Sequence, residues 1–464
     1  MKVQNITLQN ISRNYYLRLD YKINAYHSHI RKDYKNGWKV KDFLKIIKAN
    51  QTKPENFDEG YLIELEHILS GDVELNNVKK VNEIGSDKVI LNQANFAYCK
   101  LETGKGYFIA LPEDIPDYDG VSLIVGSTEL VPCRVSINNK IAKYYLTHFK
   151  EIFNMFLSGK THRRIHEIEF LNIELPKIKI SNTLLDKIIS IEKEISKLKT
   201  QIKEPKIIVD EVFSKYFKLD LKQYSNLEKK HIFGEDLFNL SKSAQLRSSL
   251  KFHHPKFDFV LKKIKEFKTV KLKQLLKEPV RRGVQPEYEE EGGILVIKTI
   301  NVNKEGYIDL TETEFVSDEF YNKVKKKAGI QQGDILITST GEGRGKVSLY
   351  DLDEPAIIDT HISIVRCKED VNKKYLTYFL LSSMGENQLS ILEQAIKGTP
   401  EIYPREIEKL IVIYPPSEIQ NKIVEEIETK LNEQRKITRQ IEKLKQEIDK
   451  LIEKAILDNK LKND

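Results

Sequence analysis

Glu167-Ile-Glu-Phe-Leu-Asn-Ile-Glu-Leu-Pro176 returns later in the chain as Glu406-Ile-Glu-Lys-Leu-Ile-Val-Ile-Tyr-Pro415, with five of the ten positions identical. Each copy runs straight into a long charged helix pattern, so the repeating unit is a large domain plus a helix. Working outward, Lys143-Tyr-Tyr-Leu-Thr-His-Phe149 matches Lys373-Lys-Tyr-Leu-Thr-Tyr-Phe379, and Lys53-Pro-Glu-Asn-Phe-Asp-Glu-Gly60 matches Gln285-Pro-Glu-Tyr-Glu-Glu-Glu-Gly292. Lys39-Val-Lys-Asp-Phe-Leu44 matches Lys271-Leu-Lys-Gln-Leu-Leu276. Offsets of 232, 230 and 239 in chain order are those of two diverged copies with loop insertions. The period is far too long for a solenoid, so each copy is a domain with its own core. The boundaries implied are a first head over 1–178, a helix and connector over 179–245, a second head over 246–415 and a final helix over 416–464.

Two seams follow the two heads. Leu184, Ile188, Ile191, Ile195, Leu198 and Ile202 are spaced alternately four and three apart among Lys, Glu, Ser and Asp, an a/d stripe. Ile437, Ile441, Leu444, Ile448, Leu451 and Ala455 repeat it, and Ile423 and Ile427 extend the phase backwards through Lys430 and Gln434. Two such stripes in one chain offer each other a matching apolar surface, which favours pairing over two helices lying on their own domains. Ser417 and Gln420 have the spacing of a capping box at the start of the second helix.

Within the heads, short β-branched runs bounded by Gly, Asn, Asp and Pro predict strands at 61–65, 294–300, 334–338, 346–350, 357–359 and 362–366. Helical spacing covers 142–156 and 373–392. Each head therefore reads as a mixed α/β domain with a mainly antiparallel, irregular sheet, an α+β class overall.

Composition narrows the functional classes. With 40% hydrophobic residues over 464 positions each head has enough apolar content for a core, and Lys+Arg 76 against Asp+Glu 69 permits a polyanionic partner without demanding one. Cys99, Cys133 and Cys367 lack metal or disulfide spacing, which suits a reducing compartment. Residues 1–10 lack a signal-peptide core and no apolar run reaches the roughly 20 residues that span a bilayer, so a soluble cytoplasmic protein is expected.

Catalytic patterns are missing. Gly341-Glu-Gly-Arg-Gly-Lys-Val347 has Thr340 where a phosphate loop needs its first Gly, and Val347 where it needs Ser or Thr. Tyr414-Pro-Pro-Ser417 begins with Tyr where the methyltransferase motif has Asp or Asn, and no glycine-rich strand-loop-helix precedes it. The histidines, including His27, His29, His253 and His254, have no metal-site partners at convincing spacing, and no nuclease constellation can be placed. No catalytic or metal-ligating residue is assigned.

The loops do carry residues suited to nucleic acid. Thr338-Ser-Thr-Gly-Glu-Gly-Arg-Gly-Lys346 lies between two strands; its glycines permit close backbone approach, while Arg344 and Lys346 suit phosphate or guanine. Val280-Arg-Arg-Gly-Val284 and Lys397-Gly-Thr-Pro-Glu-Ile-Tyr-Pro-Arg405 add Arg281, Arg282, Lys397 and Arg405. At corresponding points of the first copy, Leu101-Glu-Thr-Gly-Lys-Gly-Tyr107 and Ser158-Gly-Lys-Thr-His-Arg-Arg164 add Lys105, Lys160, Arg163 and Arg164.

Taken together, the chain resembles the specificity (S) subunit of type I restriction-modification systems along essentially its whole length. The motifs that carry the resemblance are Gly341-Glu-Gly-Arg-Gly-Lys-Val-Ser-Leu349, Gly398-Thr-Pro400 and Glu406 through Ile423; the first half departs, with Gly159-Lys-Thr-His162 in place of Gly-Thr-Pro. The resemblance implies a non-catalytic DNA-reading subunit in which two target recognition domains each read half of a split site on double-stranded DNA. It implies that the helices pair as an antiparallel coiled coil setting the unread gap. It further implies docking of methyltransferase (M) and restriction/translocase (R) subunits, which would hold S-adenosylmethionine, ATP and Mg²⁺. About 25 residues of helix span roughly 38 Å, close to one turn of B-DNA at about 34 to 36 Å. Two other readings stand beside this one: a recognition subunit for a fused methyltransferase-nuclease, and a coiled-coil scaffold whose heads bind protein.

Overall fold

Alternation decides the layering of each head, because its central strands bury side chains on both faces. The computed structural model describes residues 37–460 apart from 49–50, 53–58, 69–74, 76–77, 160–161, 230–252, 290–292, 342 and 397–398. Two compact units result, one formed by 1–201 with 437–464 and the other by 202–436.

The first unit contains strands β1 (Trp38–Lys39), β2 (Leu44–Ile46), β3 (Gln51–Thr52), β4 (Gly60–Ile63), β5 (Lys80–Val81), β6 (Lys88–Ile90), β7 (Phe96–Cys99), β8 (Phe108–Ala110), β9 (Leu123–Gly126) and β10 (Leu130–Val135). Helices α1 (Asn139–His148), α2 (Lys150–Phe156) and α3 (Glu167–Asn172) follow, then β11 (Glu174–Leu175) and α4 (Asn182–Lys199). The strands form a four-stranded sheet β2-β10-β7-β8, a five-stranded sheet β3-β6-β9-β4-β5 and the pair β1-β11. Phe96 and Tyr98 of β7 enter a cluster with Ile141, Tyr145, Phe153 and Phe170 of the helices. Ala97 and Cys99 point the other way, into a cluster with Tyr61, Ile63, Val89 and Ile124 of the second sheet.

The second unit repeats this plan. It comprises α5 (Pro205–Phe217), α6 (Leu221–Glu228), α7 (Pro255–Lys265), β12 (Thr269–Lys271), α8 (Leu272–Leu275), β13 (Arg281–Arg282), β14 (Tyr288–Glu289), β15 (Ile294–Ile297), β16 (Glu314–Val316), α9 (Asp318–Ala328), β17 (Gly329–Ile330), β18 (Ile335–Thr338), β19 (Val347–Leu349), β20 (Ala356–Ile358) and β21 (Ile362–Val365). Then come α10 (Lys373–Leu381), α11 (Ser383–Leu392), β22 (Gln394–Ile396), β23 (Thr399–Glu401), α12 (Pro404–Ile407), β24 (Ile411–Ile413) and α13 (Ser417–Lys460). Its sheets are β13-β21-β18-β19, β14-β16-β15-β20-β17, β12-β24 and the hairpin β22-β23. Ile335 and Ile337 face α10 and α11 while Leu336 faces the five-stranded sheet, the same three layers.

The sheets are mainly antiparallel, as the alternating runs predict, and among the described residues each head has one parallel pair: β4 with β9, and β15 with β20. All six predicted strands form, and the two predicted helical stretches each divide in two. The quoted decapeptides fold as a short helix followed by a strand, α3-β11 in one copy and α12-β24 in the other. Tyr145 and Tyr375, paired in the sequence match, have one role: each phenol donates to the backbone carbonyl at the end of that strand, Pro176 O in the first copy and Ile413 O, at 2.7 Å, in the second.

The seams meet in a way the heptads only partly describe. In the first unit Leu184, Ile188, Ile191 and Ile195 of α4 share a cluster with Ile441, Ile448, Ile452, Ala455 and Ile456 of α13, and Leu198, Ile437, Leu444 and Leu451 pack at its margin. Lys179 N donates to Ala455 O at 3.1 Å, and Gln440 Nε2 to Glu194 at 3.3 Å, so the two helices run antiparallel. Three expectations are corrected. Ile423 and Ile427 do not join that stripe; they lie in the second unit's core with Val209, Val212 and Phe213 of α5. Ile202 lies beyond the end of α4 and is 40% exposed, because Pro205 starts a new helix and cannot continue the old one. Ser417 is already helical, and the Gln420 amide donates to Pro415 O at 2.8 Å instead of closing a capping box. In the first copy Ser181 does cap, accepting from Leu184 N at 3.1 Å. No helix among the described residues is long and apolar enough to cross a membrane.

Candidate nucleic-acid interface

One junction occurs in both heads. In the first, Lys100 N donates to Glu129 O (3.0 Å) and Ile165 N to Lys100 O (3.3 Å), while Leu101 bridges to Arg164. In the second, Ser339 N donates to His361 O (2.7 Å) and Ile402 N to Ser339 O (2.9 Å), while Thr340 bridges to Glu401. The 101–107 and 339–346 loops are therefore equivalent: each joins two strands of a four-stranded sheet, and each is clamped at its root by the segment that precedes α3 or α12.

The loops differ in chemistry. Gly341 and Gly345 both have φ +83°, a left-handed conformation that glycine adopts without penalty, and open space lies where a Cβ would sit. Thr338 ties this loop, its hydroxyl donating to Gly343 O at 2.6 Å and accepting from Lys346 N at 2.9 Å. In the first head a Cβ on Gly104 would lie 1.8 Å from Asn154 Oδ1, so there glycine serves packing against α2.

Lys105 is exposed on the first loop. Arg163 is half-buried and donates to Asn154 O at 3.4 Å. Arg164, its side chain 49% exposed, is gripped by Glu129, Nε at 3.1 Å and Nη2 at 2.5 Å. In the second head Arg344 forms an ion pair with Glu393 (Nε at 3.1 Å) in which the buried Nε makes no hydrogen bond, and it donates Nη1 to Gly341 O at 3.0 Å. Lys346 Nζ donates to Thr299 O at 3.3 Å. Arg281 gives Nε to Lys327 O (3.0 Å), Nη2 to Gly329 O (3.3 Å) and Nη1 to Glu278. Arg282 gives Nη1 to Glu401 and Nη2 to Ile402 O (3.0 Å), with the guanidinium 5.6 Å from the Tyr403 ring centre. Arg405 is exposed on α12. Lys160 and Lys397 lie outside the described residues.

Sequence reasoning named the cations and missed the carboxylates that hold them. Glu129, Glu393 and Glu401 reach their arginines through tertiary structure, whereas Glu278 lies three residues before Arg281; the Arg282–Glu401 pair spans 119 residues, so no local pattern marks it. It also missed the apolar groups of the 298–311 segment: Ile300 is 55% exposed, Tyr307 40% and Leu310 38%. That segment adjoins the 339–346 loop through the Lys346 contact. Among the described residues no cluster of His, Cys, Asp or Glu could hold a metal. All three cysteines are buried and unpaired, and burial pushes their thiols up, Cys99 to about 11 and Cys367 to about 12.

Residues 264–450 match the family model described as the type I restriction modification DNA specificity domain. No curated protein matches the chain. Among solved structures, the S subunit of a type I restriction-modification system from M. genitalium aligns with 90% of this chain and 95% of its own at 14% identity and a TM-score of 0.42. The HsdS subunit from Thermoanaerobacter tengcongensis aligns over 91% and 96% at 16% identity and a TM-score of 0.30.

Proposed function

We propose, from the premise that this chain belongs through residues 264–450 to the type I restriction-modification specificity family, that it is the DNA-reading subunit of such a system. Each head reads one half of a bipartite target on double-stranded DNA. The observation that carries the reading is the repeated junction: two equivalent loops, each rooted on a rigid sheet and bordered by guanidinium groups, are what two independent base-reading heads require. Cations such as Lys105 and Arg405 grip phosphates, giving a salt-dependent affinity, while a few rigidly held side chains read base edges in the major groove.

The chain itself contributes recognition, not chemistry. Methyltransferase subunits dock on it and supply adenine methylation with S-adenosylmethionine, and restriction/translocase subunits supply ATP- and Mg²⁺-dependent cleavage. The test is to co-express the full chain with a type I methyltransferase subunit and map methylated adenines across the host genome. A split motif with a fixed gap is expected. A well-formed complex that leaves the genome unmethylated, and a purified chain without salt-sensitive DNA binding, would together sink the proposal.

A further inference from the structure

Counting guanidinium donors separates the arginines of the two heads. An arginine reads guanine with a two-pronged edge, so an arginine whose prongs are all engaged internally has none to offer. Arg281 donates Nε to Lys327 O and Nη2 to Gly329 O, and its Nη1 forms an ion pair with Glu278. Arg282 has committed both Nη groups to Glu401 and Ile402 O, and its Nε is buried. Arg344 donates Nη1 to Gly341 O, its Nε is buried beside Glu393, and its side chain is only 25% exposed. Arg164 is different: Glu129 takes only the Nε–Nη2 side of the guanidinium. Nη1 has no hydrogen-bond partner among the described residues, Nη2 keeps its second N–H beside it, and the side chain is 49% exposed.

The backbone under Arg164 is held from both sides. Arg164 N donates to Ser158 O and Ser158 N to Arg164 O, both at 2.8 Å, and the neighbouring Ile165 N bonds Lys100 at the root of the 101–107 loop. Glu129 is likewise fixed where the turn after β9 enters β10, its N–H bonded to Ser127 Oγ at 3.3 Å and its carbonyl to Lys100 N at 3.0 Å. A half-exposed ion pair adds little to stability. A carboxylate that locks one edge of a guanidinium while leaving the other presented does preorganise a recognition group.

The equivalent junction of the second head carries different chemistry. His361 stands where Glu129 stands, and Glu401, paired with Arg282, stands where Arg164 stands. The two heads thus present unlike groups at one structural position, as two unlike half-sites require.

We propose that Arg164 is a specificity-determining residue that reads one guanine of the first head's half-site through its free Nη1–Nη2 edge, with Glu129 as its positioning residue. This rests on the DNA-reading function proposed above. The test selects bound duplexes from a double-stranded DNA library of randomised sequence, using the full chain co-purified with a type I methyltransferase subunit. The wild type should yield a split motif with guanine fixed at one position. Arg164→Lys keeps the charge but loses the fork, so discrimination for that guanine should fall about tenfold while all other positions and the salt dependence stay the same. Glu129→Gln should weaken the same position in the same direction and no other. The fluorescence-monitored unfolding of Trp38, which lies in the first unit, confirms that each variant folds. An unchanged motif with Arg164→Lys overturns the inference. So does Arg164→Gln lowering affinity equally for every sequence and reducing the salt slope by about one, since that marks a phosphate contact. A wild-type chain that enriches no motif overturns the DNA-reading function itself, and the inference with it.

Discussion

Asp114 and Lys143 form the most deeply buried ion pair described in the first unit, 2.7 Å apart with 1% and 3% of their side chains exposed. Burial pushes the Asp114 carboxyl up to about 6, against the pull of Lys143, and Ala110 N adds a hydrogen bond at 2.8 Å. A carboxyl whose folded pKa lies above its unfolded value favours folding most at low pH, and that contribution is lost as pH rises through about 6. Lys143→Met leaves the carboxylate without its counter-ion and should cost about 3 to 5 kcal/mol at pH 8. The loss should be smaller at pH 5, where Asp114 takes up a proton. The chain has one tryptophan, Trp38, whose indole donates to Tyr145 at 2.9 Å. Urea unfolding followed by its fluorescence at the two pH values measures the difference, and an equal loss at both would contradict the argument.

Among the elements, the helices are tied to their heads by specific polar contacts as well as apolar stripes. Glu192 of α4, buried, accepts from Lys140 at 2.6 Å and from the Tyr144 hydroxyl at 2.9 Å. Asp210 of α5 caps α11, accepting from Ser383 N and Oγ, both at 2.6 Å. Asp210→Ala should therefore cost about 2 kcal/mol. The change should appear in hydrogen exchange of the 373–392 amides and leave the Trp38 transition unmoved, since that residue belongs to the other unit. Ile188 is fully buried against the distal half of α13, so Ile188→Ala should cost about 2 to 5 kcal/mol. Ile202→Ser, at a position 40% exposed, should stay within about 0.5 kcal/mol. Heptad spacing alone scores these two isoleucines alike. Unfolding followed by far-ultraviolet circular dichroism, which reports both units, distinguishes them, and comparable losses would mean that α4 continues through 202.

At the scale of the whole molecule, the two heads repeat one architecture and differ at the equivalent loop junctions. Lys105, exposed at the tip of the first loop, should act through charge alone: Lys105→Gln should reduce the salt slope of DNA binding by about one without changing the selected motif. Titration at several salt concentrations measures this, and a changed motif would reassign Lys105 to base reading. The duplication, the strands, the paired helices and the basic loops were all legible in the sequence, because repeats, alternation and a/d spacing are local or periodic signals that survive divergence. Pro205 was equally visible, and only its consequence, the break after Lys199, went unread. Which cations remain available was not legible. In sequence Arg281 and Arg282 look as promising as Arg164, yet their donors face the neighbouring Glu278 and, from elsewhere in the chain, Glu401 and the carbonyls of Lys327 and Ile402. By itself, then, the sequence determined that there are two heads, each followed by a helix. The tertiary structure alone decided which helix segments share a core and which guanidinium keeps an open edge, because both depend on partners that folding brings from distant positions.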